Sequence, residues 1–465
     1  MNMKKRIAFL TIFTLMGALG GCGKTIDSID ETTFYEDYKK HQYIVSYYLD
    51  ENNEKQFGCI DYKGNEIVEF NKKSIYVGNT GIISVNEEDS AYFIKDNKIV
   101  ETNHKQIFEF HNNSALIQNS EGYYGVIDSS LNYVINPIFT NALMSSKNVH
   151  LVSNDEGNYF IYNNVYTKYD GTFARYVNLL SETHAAAVII KDSKYGVINN
   201  YGDVLVNPEY KSISLVSDTA ICIGFDNSQT LIDLNSSKTL ITVPYGSSNI
   251  LLAKSSKYYA YAKDSISTIV VKNRSFKLPA DQIVLELYPE FVYARDFKTN
   301  NQLIYNLRGK LLIDNSKGRF SSVSNDGTVA CYIDINNVNK IINSSGKVLS
   351  KISDAMFIGM FGHDNFMFKK NGKFLLCSPS GEILMETDEN LLSGSSDKGT
   401  FGVVFNLKSG SKYYRNNGEL LITSTNTLTV EENAILEYEG EGTNIYDLFG
   451  NKIFTSEHKL NILNY

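Results

Sequence analysis

The 465-residue sequence has no tryptophan, six prolines, five cysteines and only seven arginines. With a net charge of −8, such a chain lacks the basic face that a nucleic-acid binder needs to neutralise phosphates. The prolines and the 32 glycines are scattered, which excludes collagen-like and low-complexity tracts. After residue 22 no apolar run approaches the roughly 20 residues of a membrane-crossing helix. There is no CxxC pair or Cys/His cluster to hold zinc. No HExxH pair, P-loop, GxSxG elbow or Rossmann fingerprint marks a reaction centre. The expectation is a chain with no catalytic residues, no cofactor and no metal. The missing tryptophan also removes the largest aromatic platform for stacking on a sugar.

What the sequence does have is tyrosine (32) and phenylalanine (25), in short runs with β-branched residues and turn residues between them. That pattern predicts strands. The stretch Lys194–Ile213, KYGVINNYGDVLVNPEYKSI, states the rule most fully: a strand, a tight turn at Tyr201-Gly202-Asp203, a second strand, and an exit through Asn207-Pro208. Equivalent turns occur at Gly64, Asn97, Leu131, Asn164, Ser237, Arg274, Gly309, Gly346, Gly381, Gly418 and Gly450, spaced 32 to 38 residues apart. A period of that size calls for a repeat architecture of about twelve units. Each unit holds four apolar runs, such as Ile213–Val216, Ala220–Ile223, Thr230–Asp233 and Thr239–Thr242. Loops of two to five residues force neighbouring runs to be antiparallel.

The predicted class is all-β, built of tandem four-stranded antiparallel repeats. Such meanders form β-propellers, which usually close with four to eight blades. Twelve units therefore suggest two propellers in tandem, over residues 34–245 and 246–465, with the split near Pro244-Tyr245-Gly246; a seven-plus-five division would fall near Pro279-Ala280-Asp281 instead. An open β-solenoid or superhelix is the alternative, since it sets no upper limit on repeats. A closed ring needs one strand donated from the opposite terminus, and the run Lys459–Leu463 is available for it.

Residues 1–21 read as a signal peptide. Lys4, Lys5 and Arg6 precede an apolar stretch, Ile7–Leu19, of signal length. The stretch ends in Leu19-Gly20-Gly21-Cys22, which resembles the lipobox of bacterial lipoproteins. The resemblance implies that Cys22 is acylated and becomes the mature N-terminus. Each buried acyl CH₂ contributes about 0.8 kcal/mol to membrane affinity, so two or three chains would hold the protein at a membrane. The expected location is extracytoplasmic and lipid-anchored. Residues 22–33 are polar and aperiodic, a short tether.

Phe57-Gly58-Cys59-Ile60-Asp61, Tyr124-Gly125-Val126-Ile127-Asp128 and Tyr195-Gly196-Val197-Ile198-Asn199 resemble the WG repeat of bacterial proteins, with Tyr or Phe in place of Trp. Ile135-Asn136-Pro137-Ile138-Phe139 and Val206-Asn207-Pro208-Glu209-Tyr210 resemble its second half. Later copies lose both the aromatic-Gly pair and the proline. The resemblance implies a β-repeat binding scaffold and no active site.

Cys59, Cys222, Cys331 and Cys377 fall in apolar strand slots and are expected to be structural thiols. Asp61, Asp128, Asn199, Asp233, Asn306, Asn343 and Asp447 recur just before the turn, where Asx turns account for them better than a ring of cation ligands. Ser324-Asn325-Asp326-Gly327-Thr328 is only faintly similar to the Asp-box of sialidases, and His363-Asp364 lies in a Gly-flanked loop. The functional expectation is a non-catalytic, membrane-anchored scaffold that binds protein or glycan. A structural partner in cell-envelope assembly is the alternative, and a propeller-type glycan hydrolase a distant one.

Overall fold

Tight turns between short β-branched and aromatic runs leave the backbone no partner but the neighbouring run, so each repeat zips into an antiparallel meander. The computed structural model describes residues 43–463, apart from 147–148, 182–183, 246–247, 254–257, 264–265, 273, 363, 389–390, 397–401 and 432–433. The described residues form twelve four-stranded sheets. Numbered along the chain, blade 1 spans 43–72 together with 461–462, blade 2 74–101, blade 3 104–139, blade 4 141–169, blade 5 172–210 and blade 6 212–243. Blade 7 spans 248–277, blade 8 282–313, blade 9 318–353, blade 10 356–387, blade 11 391–424 and blade 12 427–456.

The turn joining the third and fourth strands follows one recipe. In blade 1 the N–H of Gly64 donates to the carbonyl of Asp61, and Asp61 Oδ1 accepts the N–H groups of Lys63 and Asn65 at 2.8 and 2.9 Å. Asp128, Asn199, Asn306, Asn343 and Asp447 repeat this Asx geometry, and Asp233 holds Ser236 in a related turn. Gly202, at φ +90°, occupies the left-handed position that the turn requires.

Each meander has two apolar faces, and the buried residues group by blade interface. Val45, Cys59 and Val68 of blade 1 pack on Ile75, Ile83 and Val85 of blade 2. Ala186, Val188 and Val197 of blade 5 meet Ile213, Ala220 and Cys222 of blade 6. Leu231 and Val243 of blade 6 meet Ile250 of blade 7, across the expected division at residue 245. Ala434, Leu436 and Ile445 of blade 12 pack on Ile44 and Ile60 of blade 1.

The free flank of blade 1 is therefore covered by blade 12. The expected pair of propellers is replaced by one β-propeller of twelve blades, and residues 43–465 form one compact unit. The same contact excludes the open solenoid. The ring closes through the C-terminal run: Asn461–Ile462 pairs with Tyr43–Leu49 and supplies the first strand of blade 1, with Leu460 buried beneath it. Signal, tether and Cys22 lie outside the described residues.

First strands of neighbouring blades lie beside one another, as Thr172–Leu179 does beside Ser212–Val216, so the first strand is the inner one and the fourth the outer. Loops alternate between the two faces of the ring. Hairpins joining strands one to two and three to four share one face with the Asx turns. Hairpins joining strands two to three share the other face with the links between blades.

Pro208 does not end its strand. The fourth strand of blade 5 runs Val204–Tyr210, and the register against the third shifts twice, from Ile198↔Val204 to Val197↔Val206 to Tyr195↔Tyr210. The proline sits in this bulge on the outer strand, where its missing N–H breaks no ladder. A Cβ at Gly196 would lie 2.7 Å from the Val206 oxygen and 2.9 Å from the Pro208 nitrogen. The aromatic-Gly pair and the distant proline are thus two halves of one contact.

Candidate functional site: a cleft between blades 8 and 9

Most chemistry-bearing residues singled out in the sequence are absorbed by the fold. Cys59, Cys222, Cys331 and Cys377 are free and buried. Desolvation pushes Cys222 and Cys331 up to about 12 and Cys377 up to about 11, so none supplies a thiolate near neutral pH. Tyr258 and Tyr413 are buried, and their hydroxyls donate to the carbonyls of Phe291 and Leu448 in the next blades. In Ser324–Thr328 the serine hydroxyl bonds Asp326, and Asp326 accepts the Thr328 N–H at 3.1 Å, which makes a local turn that Asn325 ties to the Gly362 carbonyl of blade 10. His363 lies outside the described residues.

A cleft of about 760 Å³ opens between blades 8 and 9 on the face opposite the Asx turns. One wall comes from the second and third strands of blade 8, Phe291–Asp296 and Gln302–Asn306, which contribute Tyr293, Arg295 and Gln302; Asn300 comes from the hairpin between them. The other wall comes from the inner and second strands of blade 9, Gly318–Val323 and Val329–Asp334, with Arg319 and Asp334, and from the hairpin that follows, with Ile335 and Asn337. Asn315, in the link between the blades, lies at the base.

The close approach of the walls is set locally. The link turns at Asp314, which accepts the N–H groups of Ser316 and Lys317, each at 3.1 Å. It then enters blade 9 at Gly318 with φ +153°, where a Cβ would lie 2.1 Å from the Ile333 oxygen. Asn315 donates to Asn301 at 2.5 Å and ties the link to the blade 8 hairpin. Tyr293 is oriented by Gln302, whose amide donates to its hydroxyl at 3.1 Å, and by Phe320, whose ring centroid lies 5.1 Å away.

Nearby carboxylates are already engaged. Asp296 accepts the N–H groups of Lys298 and Thr299 at 3.0 and 2.9 Å. Asp334 meets Lys340 Nζ at 2.8 Å and accepts the N–H groups of Asn336 and Val338. The Lys340 contact, followed by the Val338 N–H, holds its carboxyl below the usual range. Arg295 is half-buried and Arg319 exposed, and neither makes an ion pair among the described residues. Both border the cleft: Arg295 shares the blade 9-facing side of its strand with Tyr293, whereas Arg319 pairs with Ile333 on the opposite side of its strand from Phe320. Their scarcity was the one available signal, because nothing in the repeat pattern marks either position.

A second groove of about 590 Å³ between blades 9 and 10 carries Lys351, Lys370 and Lys373, the last paired with Glu386.

No protein-family model matches the chain, and no curated protein does. Among solved structures, similarity extends to a eukaryotic initiation factor, at 10% identity over 75% of this chain and 98% of that one with a TM-score of 0.32. It extends also to Kluyveromyces lactis Hsv2, at 6% identity over 50% and 92% with a TM-score of 0.27, and to the computationally designed Ika8 protein, at 13% over 60% and 96% with a TM-score of 0.25. At these scores the neighbours assign nothing to the cleft.

Proposed function

We propose that this protein is an extracytoplasmic lipoprotein of the WG-repeat type whose propeller serves as a non-catalytic binding scaffold for a glycan or protein ligand. The observation that carries this reading is the cleft between blades 8 and 9. It gathers amides, an oriented tyrosine and the Arg295 guanidinium, while the sequence's thiols are buried and its turn carboxylates are engaged by the N–H groups of their own turns. Concave sites with a few placed polar groups are the usual form of a ligand pocket.

Two measurements test the reading. The Cys22→Ala variant is expected to leave the membrane fraction for the soluble one; retention in membranes overturns the lipid anchor. Pull-down from envelope fractions is expected to return glycan or a sub-stoichiometric protein ligand. Recovery of envelope proteins at fixed stoichiometry would favour the assembly role instead, and turnover of a glycan would overturn the non-catalytic reading.

A further inference from the structure

We propose that the ring docks on a lipid bilayer through blades 6 to 10, on the face of the second-to-third-strand hairpins, with Phe225, Tyr245, Phe297, Ile335 and Met356 entering the headgroup region. Among the described residues, seven large apolar side chains are at least 59% exposed, and five of the seven are these. Phe225, Phe297 and Ile335 stand in the hairpins of blades 6, 8 and 9, Tyr245 in the link between blades 6 and 7, and Met356 at the start of the inner strand of blade 10. Such hairpins and links share one face, so the five form one arc of consecutive blades. Local turns hold two of them outward. Asp296 accepts the N–H groups of Lys298 and Thr299, and Asp334 those of Asn336 and Val338, which leaves Phe297 and Ile335 at the tips. Single exposed apolar residues are ordinary, whereas a gathered set marks an interaction surface.

Shape and charge select the occupant. Each side chain rises from its own hairpin, link or strand start, with polar residues between, so the arc lacks the continuous apolar patch that forms the core of a protein interface. A bilayer surface accepts separate tips at one level. Exposed cations stand among them: Lys211 and Lys317 in the links before blades 6 and 9, Lys263 at the end of the second strand of blade 7, and Lys298 beside Phe297. The carboxylate next to each hairpin tip is engaged, Asp226 by the Ser228 N–H at 2.9 Å, Asp296 by its turn and Asp334 by Lys340 at 2.8 Å. Against the cations stands Asp354, exposed in the link before Met356. Elsewhere on the same face the hairpins of blades 12, 1 and 4 present exposed Glu439 and Glu441, Glu51 and Glu54, and Asp155 and Glu156. An anionic headgroup layer attracts the first half of the face and repels the second. Apolar tips beside lysines, whose stems are themselves apolar, suit the headgroup boundary. The cleft between blades 8 and 9 opens on this face, between the hairpins that carry Phe297 and Ile335, so docking sets it against the headgroup layer. Docking goes beyond the scaffold reading; together they make the ligand one borne on that surface.

The chain has no tryptophan, so a single introduced one reports its own site. Full-length Phe297→Trp, Ile335→Trp, Tyr123→Trp and Tyr201→Trp are reconstituted from detergent into vesicles of phosphatidylethanolamine and phosphatidylglycerol, with and without lipid brominated in the upper acyl chain. Tyr201 is exposed on the Asx-turn face, and Tyr123 is exposed in the blade 3 hairpin, on the face of the arc but outside it. Native melting qualifies each variant, and Phe225→Trp replaces either tip variant that fails. Emission from the Phe297→Trp and Ile335→Trp chains is expected to shift to the blue. Brominated lipid should quench it several-fold more than in the other two, as for a side chain seated roughly 5–10 Å into the boundary. The proposal is overturned if neither tip is quenched or if Tyr201→Trp is quenched as strongly. Equal quenching of Tyr123→Trp overturns the restriction to blades 6 to 10. A blue shift of the tip variants without vesicles, growing with protein concentration, assigns the arc to a second copy of the chain and overturns the lipid. Unquenched tips would leave the Cys22→Ala and pull-down outcomes untouched, so docking and the scaffold reading fail separately.

Discussion

Blade 5 and blade 9 share a turn and differ in what they do with the strand before it. In blade 5 the third strand carries Tyr195-Gly196, and the fourth folds over the glycine in a double register shift around Pro208. In blade 9 the same two places, counted back from Gly346 as from Gly202, hold Asn339 and Lys340. There the strands pair residue for residue from Val338↔Ser353 to Ile341↔Ser350. Without the close approach that glycine permits, the shift farther from the turn is missing, and only the one beside the turn, between Ile341 and Ile342, remains. The freed position carries a long side chain that reaches Asp334. In blade 8 the tyrosine's place is taken by Gln302, which orients Tyr293 in the cleft. Where the motif is kept it closes the blade on itself; where it is lost, the same positions supply polar groups to an interface.

Exchanging the residues between blades tests this contrast most severely. Gly196→Lys places a side chain against the backbone of Val206 and Pro208 and is expected to destabilise the protein by about 3 kcal/mol, the upper range for overpacking. Thermal or denaturant melting checks it. A loss below about 1 kcal/mol, within what a well-tolerated swap costs, would show that the bulge does not depend on glycine.

The feature the two blades have in common should respond alike. Gly202→Val and Gly346→Val force a β-branched residue into φ +90° and +85°. Each is expected to cost about 2 kcal/mol in thermal or denaturant melting, in line with left-handed strain. Full stability in either would show that the turn has been assigned wrongly there.

A third outcome concerns a polar group held inside an interface, now in blade 12. Glu437 is 7% exposed and accepts from Tyr446 at 2.6 Å, Asn444 at 3.0 Å, Asn426 at 3.2 Å and Ser424. Burial alone would raise its pKa. The combined donors, Ser424 first among them, outweigh that and hold the carboxyl at about 2, below its ordinary 4.5. A depressed carboxylate contributes stability that is complete above about pH 4.5 and is lost as pH falls toward 2. After solvent screening the contribution is about 1–2 kcal/mol. Acid titration of melting temperature should show this step in the native chain and not in Glu437→Gln.

The smallest effect is expected from Lys340→Met, which removes the partner of Asp334 and leaves its hairpin N–H bonds in place. Melting temperature should drop less than in any variant above, and the Asp334 carboxyl, without its cation, should titrate closer to an ordinary aspartate. An unmoved Asp334 titration would remove Lys340 from the account of the cleft.

Much of this was legible in the sequence because it depends on neighbours along the chain. Glycine or an Asx residue at the turn declares a local backbone need, so the hairpins at Asp61, Asn199 and Asn343 could be read in advance. Cys222 and Cys331 fell in slots that other copies fill with Ala187 and Val403, and burial follows from that equivalence. The closing run Lys459–Leu463 could be identified because a ring leaves one strand position for the opposite terminus. The cleft was not legible. Arg295 and Arg319 lie in successive repeats with no shared offset, and only the packing of blade 9 on blade 8 brings them to one groove.

By itself the sequence determined the unit: four antiparallel strands, their turns, the apolar alternation that gives each sheet two faces to bury, and the candidate signal and Cys22 ahead of them. Tertiary structure decided how many units share one ring. Each blade interface adds a small rotation, and whether those rotations close after six blades or twelve depends on side-chain volumes summed around the whole circle. That sum appears in no single repeat. It becomes visible only where Ala434, Leu436 and Ile445 of the last blade meet Ile44 and Ile60 of the first.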